Sequence, residues 1–103
     1  MRLNMGTMIV LTSANFETEV LKNWCPVLVL WTEPMSVAGG KLAMEISKLQ
    51  SAKVNVGKVD ISAQPGLAMS NSIVSAPWLV LYVGGMPVAQ GSSVTPEILN
   101  AIG

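Results

Sequence analysis

Few side chains in this chain are equipped for covalent or proton-transfer chemistry. There is one cysteine, Cys25, and no histidine. A lone thiol closes no intrachain disulfide. Without imidazole, neither histidine acid–base catalysis nor the usual Cys/His zinc site can be built from this chain. Glu33 and Asp60 are too sparse to form an acid–base pair with separated pKa values. Lys58 stands ready either to pair with one of them or to extend its stem outward. Gly39-Gly40 belongs to no phosphate-binding pattern: there is no P-loop motif and no GxGxxG following a strand. Cys25 itself reads as a small apolar residue at a helix–strand junction rather than a reactive thiol.

The rest of the composition narrows the field. The 103 residues carry six Lys+Arg against six Asp+Glu, a net charge of zero; 50% are hydrophobic and 12% charged. That charge content is about half the usual ~25%. High hydropathy with no net charge argues against disorder, and the length suits one domain with a real core. Nothing here neutralises a phosphate backbone, so no nucleic-acid partner is expected. The longest apolar run, Pro26 to Trp31, falls far below the ~20 residues that span a bilayer. Residues 1–7 have no apolar stretch resembling a signal peptide. The reading is a short N-terminal extension (1–7) and one domain (8–103), soluble and cytoplasmic, with no membrane, metal or cofactor expected. So little charge also favours self-association and leaves apolar surface for an interface.

Several elements must position these residues. Met8-Ile9-Val10-Leu11 reads as a strand, followed by an N-cap at Thr12-Ser13. Phe16, Val20, Leu21 and Trp24 make a helical stripe that Pro26 ends. Val27-Leu28-Val29-Leu30-Trp31 is continuously apolar, the pattern of a central strand covered on both faces. Met35–Gly40 reads as a loop or frayed helix entry. Leu42, Ile46 and Leu49 then give a second amphipathic helix, with Lys41 and Glu45 spaced for an i, i+4 pair. Residues 54–59 form a strand ending at Asp60, and Gln64-Pro65-Gly66 opens a short helix. Trp78–Val83 is a strand, Gly84-Gly85 a hairpin turn, and Met86–Gln90 an antiparallel return marked as an edge by Pro87. Thr95-Pro96-Glu97 starts a last helix that buries Ile98, Leu99 and Ile102. The order βαβαβαββα predicts an α/β domain with parallel strand pairs, helices on both faces and an antiparallel edge.

In this order the chain resembles the thioredoxin family over residues 8–102. Pro26–Glu33 is similar to the family's second strand, which runs into Trp-Ala-x-Trp-Cys-Gly-Pro-Cys. Lys58-Val59-Asp60 resembles the end of its third strand, and Gln64-Pro65-Gly66-Leu67-Ala68 its Asn-Pro-x-x-Ala helix. Ala76-Pro77-Trp78 is similar to its Ile-Pro-Thr segment, whose proline is cis, and Gly84-Gly85 and Gly91 match the glycines around its last strand. The resemblance implies a thioredoxin fold: a central mixed sheet of about five strands flanked by helices on both faces. The departures lie in the chemistry. Met35-Ser36-Val37-Ala38 stands where Cys-Gly-Pro-Cys would be. Val29 replaces the buried Asp that tunes the second thiol, and the kinking proline of the second helix is absent near Lys41.

Disulfide exchange needs a thiolate and a second thiol to resolve the mixed disulfide. A methionine thioether cannot ionise, and Cys25 precedes the strand that the active site follows. The seven residues from Cys25 to Thr32 span on the order of 20 Å, placing the thiol at the opposite pole of the sheet from Pro77. The resemblance therefore implies a protein without redox catalysis that keeps the family's client-binding face. This would be a non-catalytic protein- or peptide-binding module formed by Trp31, Ala76, Pro77, Gln90 and Gly91 with the former active-site loop Met35, Ser36, Val37 and Ala38. Its partner would be a protein, a peptide or a second copy of the chain. Two rivals stay open: a divergent disulfide oxidoreductase working through Cys25, and a structural subunit of a larger assembly.

Overall fold

Five alternating apolar residues organise the molecule. In the computed structural model, which describes residues 8–103, Val27–Thr32 (β2) is the third of five strands. The N-terminal extension expected over 1–7 lies outside the described residues. β2 runs parallel to Asn55–Asp60 (β3) and antiparallel to Trp78–Val83 (β4). The edges are Ile9–Leu11 (β1), parallel to β3, and Met86–Gly91 (β5), antiparallel to β4. The sheet order is β1-β3-β2-β4-β5. Helices Val37–Ser47 (α1), Pro65–Ser70 (α2) and Pro96–Ile102 (α3) complete the fold, with one π-type turn at Glu17–Leu21.

Because side chains alternate along a strand, β2 feeds two cores. Val27, Val29 and Trp31 pack with Phe16, Val20, Val80, Tyr82 and Ala68 on one face. Leu28 and Leu30 pack on the other with Leu42 and Ile46 of α1 and Ile98 of α3. No charged or polar residue is buried among the described residues, so Val29 sits where no carboxylate could be tolerated without a partner.

Local chemistry explains most boundaries. Thr95 Oγ1 accepts from Ile98 N at 3.2 Å and caps α3, with Pro96 in the first turn. The Gly84-Gly85 turn has φ of 61° and 82°, the double positive φ of a hairpin turn that matches strand twist. Gly85 also packs so closely that a Cβ would lie 2.5 Å from the Leu21 carbonyl oxygen. A bulge between Leu81 and Tyr82 places Pro87 opposite Tyr82 on the edge strand, where its missing N–H costs no ladder bond.

Four sequence expectations are corrected or decided between alternatives. The first helical stripe stops early: Lys22 N bonds Glu17 O at 2.9 Å, and the turn ends at Leu21. Asn23 then bonds Glu19 O and Cys25 N, turning the chain outward, so Trp24 is 96% exposed rather than buried. Of the two readings of Met35–Gly40, loop or helix entry, the second holds for Gly39 and Gly40, which lie in the first turn of α1 because Ser36 caps the helix ahead of them. Lys41 and Glu45 form no ion pair within 4 Å, whereas Lys22 and Glu17 approach to 3.6 Å in an exposed pair. Leu99 is exposed, since α3 turns only Ile98 fully into the core.

Two glycines one residue apart should respond oppositely to alanine. A Cβ on Gly39 would overlap Thr32 Oγ1, whereas a Cβ on Gly40 meets nothing within 4 Å. Gly40→Ala should stabilise by about 0.5–1 kcal/mol through helix propensity. Gly39→Ala should destabilise by about 1–3 kcal/mol through overpacking. Denaturant melts read both; equal shifts for the two variants would contradict the packing described.

Tyr82 supplies a second test. Burial pushes its phenol up from 10.0 to about 12, opposed by the Trp31 indole. That indole N–H is buried and makes no hydrogen bond of its own, while the phenol donates to Asn71 Oδ1 at 3.1 Å. The folded state thus holds the proton more tightly than the unfolded one. Its stabilisation is complete below pH 10 and is lost as pH rises towards 12. The chain has a single tyrosine, so tyrosinate absorbance titrates this group alone. We expect a midpoint well above that of the unfolded chain, and a weaker alkaline loss of stability in Tyr82→Phe; a midpoint near 10.0 would refute it.

Candidate functional site at one pole of the sheet

The strand register decides which loops meet. Thr32 pairs with Asp60, Trp31 with Trp78 and Leu79 with Gly91. The chain leaving β2, the chain leaving β3, the segment entering β4 and the end of β5 therefore share one pole. Met35–Ala38, Ala76-Pro77 and Gln90-Gly91 are brought together there. Cys25 is not: it precedes Val27, whose pair with Tyr82 lies four positions along the ladder from the Trp31–Trp78 pair. Its thiol lies 3.9 Å from the Ala52 carbonyl at the far end.

Each site residue has a definite local cause. Ser36 is the N-cap of α1: its hydroxyl accepts from Gly39 N at 2.9 Å, and its own carbonyl takes Gly40 N at 3.0 Å. Its side chain is thus committed to the helix rather than to a ligand. Val37 and Ala38 occupy the first turn and are exposed, and Met35 projects just ahead of the cap. The Ala76-Pro77 peptide is cis. Trp78 Nε1 donates to Gln90 Oε1 at 3.0 Å, fastening β5 to the strand that follows Pro77. Trp31 is a correction. It was expected on the binding face, but it is 0% exposed, because its alternation turns it into the core against Phe16, with ring centroids 5.6 Å apart.

Beside the cis peptide lies a groove of about 340 Å³ of mixed character, walled by Ile61, Ile73, Val74 and Ala76 together with Glu33 and Ser75. Sequence reasoning did not select Ile61, Ile73, Val74 or Ser75. The available signal was an apolar residue, Val74, stranded in the approach to a proline, and it is 95% exposed. Residues 74–76 make no backbone hydrogen bond to the rest of the described chain, whereas Ile73 N is bonded to Ala68 O at 3.0 Å. A second cleft of about 320 Å³ opens on the other side of Glu33, between Gly39, Gly40 and Lys58.

The charged groups at this pole are structural or solvated. Asp60 Oδ1 accepts from Ser62 Oγ at 2.6 Å, from Ser62 N at 2.9 Å and from Ala63 N at 3.3 Å. The Ser62 hydroxyl holds its carboxyl below the usual carboxylate value, partly opposed by desolvation. Asp60 thus stays ionised and shapes the turn into α2. Lys58 forms no ion pair with Glu33 or Asp60 and extends outward. Among the described residues no group of three His, Cys, Asp or Glu converges to hold a metal ion. No helix there is long and apolar enough to cross a membrane. The pole contains no thiol, since the one cysteine, Cys25, lies at the far end.

Comparison with known proteins places this architecture. The family profile of thioredoxin matches residues 7–102. The chain is 40% identical over 82 residues to a thioredoxin of Buchnera aphidicola, covering 76% of this chain and 75% of that protein. It is 35% identical over 89 residues to a bifunctional thioredoxin reductase/thioredoxin of Mycobacterium leprae; that match takes 82% of this chain and spans only 19% of the longer protein. A solved structure of a mutant thioredoxin from Halobacterium salinarum superposes with a TM-score of 0.79 at 17% identity, covering 97% of this chain and 89% of the other. That likeness shows the five-stranded α/β fold. The chain belongs to the thioredoxin family, with a single cysteine placed away from the pole and therefore without the Cys-x-x-Cys dithiol.

Proposed function

We propose that this protein is a non-catalytic binding module that holds an extended segment of another polypeptide at the pole formed by Val74–Pro77, Met35 and Val37. One observation carries the reading. The backbone of residues 74–76 is exposed, makes no hydrogen bond to the described chain and borders a groove walled by Ile61, Ile73 and Val74 as well as Glu33 and Ser75. Unpaired backbone beside side-chain pockets is the arrangement that receives an extended strand, with main-chain bonds giving affinity and pockets giving selectivity. The missing thiols remove the chemistry and leave this backbone in place. Without a mixed disulfide to form and resolve, the partner's residence time is set by non-covalent contacts alone. The module would work in the cytoplasm, where a lone thiol such as Cys25 stays reduced.

Redox assays separate this reading from a divergent oxidoreductase. Insulin reduction should be indistinguishable from the uncatalysed rate, and DTNB should titrate one thiol per native chain or fewer. Turnover that disappears in Cys25→Ser would establish the rival.

The pole itself can be tested by selection. A random-peptide phage library panned on the immobilised protein should yield apolar, extended sequences. Val37→Asp and Val74→Asp should each weaken the recovered peptide about tenfold or more, by placing an unpaired charge against it. Circular dichroism should be unchanged, since both side chains are exposed. Sedimentation velocity on the same proteins detects a second copy as the occupant. No enrichment over a control protein, together with a monomer at every concentration, would sink the proposal.

A further inference from the structure

We propose that Met35 is a peroxide-responsive modification site, whose oxidation to the sulfoxide makes this pole polar and releases the bound segment. This rests on the reading of the pole given above. Four large methionine side chains are exposed among the described residues: Met35 at 92%, Met69 at 80%, Met44 at 70% and Met86 at 66%. Met35 is the most open of them, and it alone sits at the pole, one residue before the Ser36 cap. Met44 lies on the exposed surface of α1, Met69 within α2 and Met86 at the opposite end beside the hairpin turn, whereas Met35 stands between β2 and α1, next to the groove residue Glu33 in the chain though not itself in the groove wall. No thiol at the pole competes for oxidant, because Cys25 is at the far end.

The chemistry needs only a peroxide. The thioether sulfur attacks one peroxide oxygen; a sulfur–oxygen bond forms and the oxygen–oxygen bond breaks. The departing hydroxide takes up the remaining proton and leaves as water. Sulfur loses two electrons to the peroxide. The product is polar, a strong hydrogen-bond acceptor and larger, so an apolar segment can no longer cover it without desolvating it. The change is reversible by methionine sulfoxide reductases. A fold that has lost its thiols would thereby keep a response to oxidant at the same place, through a different sulfur.

The test uses the intact protein, limited hydrogen peroxide and a peptide recovered from the phage selection. Peptide mapping by mass spectrometry should find sulfoxide at Met35 before Met44, Met69 and Met86. Fluorescence anisotropy should show the peptide binding roughly tenfold more weakly to the oxidised protein. Met35→Leu, which keeps an apolar side chain of similar volume, should bind equally well before and after peroxide. Treatment with sulfoxide reductases should restore wild-type binding. Oxidation of Met35 no faster than the other three overturns the proposal, as does an equal loss of affinity in Met35→Leu. A peptide that binds reduced and oxidised protein alike overturns the switch and leaves the pole's binding role standing; a library that yields no peptide, together with a monomer at every concentration, overturns both.

Discussion

The requirement that β2 be apolar on both faces governs the rest of this molecule. Val27, Val29 and Trp31 close one core and Leu28 and Leu30 the other, all between 0% and 1% exposed. A strand at the centre of a mixed sheet has no solvent side on which to place a charge. An ionised carboxylate at Val29 would need a partner or a proton to be tolerated there. Here Val29 simply packs. The loss of the dithiol and the apolar filling of this position describe one change: with no thiol to tune, nothing offsets the desolvation of a buried acid.

The same strand explains why the pole keeps its shape without its chemistry. β2 delivers Thr32 to the side of Gly39, and the close approach of these two residues fixes how α1 starts. Ser36 then satisfies the Gly39 amide, and Asp60 ties the turn leading to α2. The cap and the acidic turn are held by local bonds, none of which involves sulfur. Catalysis and architecture are separable here because the hydrogen bonds that build the pole never ran through the reactive groups.

Much of this was readable in the residues. The central place of 27–31 followed from an unbroken apolar run, the hairpin from Gly84-Gly85, and the last helix from Thr95-Pro96. The depth of Trp31 was not readable, because alternation carries no information about faces when every residue in the run is apolar. Trp24 failed for a different reason: the helical stripe continued in sequence, but Asn23 redirected the backbone with two side-chain bonds. The groove beside Pro77 was hidden because its defining property, backbone groups left unbonded at 74–76, depends on how β2, α2 and β4 are spaced, and no residue type encodes it.

The three tryptophans occupy three dielectric environments: Trp24 stands in water, Trp31 is sealed in the core and Trp78 is half-buried with its indole bonded to Gln90. Their emission is therefore a sum of unlike spectra. Trp24 looks the same whether the chain is folded or not and contributes a constant red background. Trp31 reports the collapse of the sheet, through its shift and through contact with Phe16. Trp78 answers to events at the pole, because anything that pulls on Gln90 changes its bonded indole. Folding and occupancy of the pole are thus written in separate chromophores of one chain.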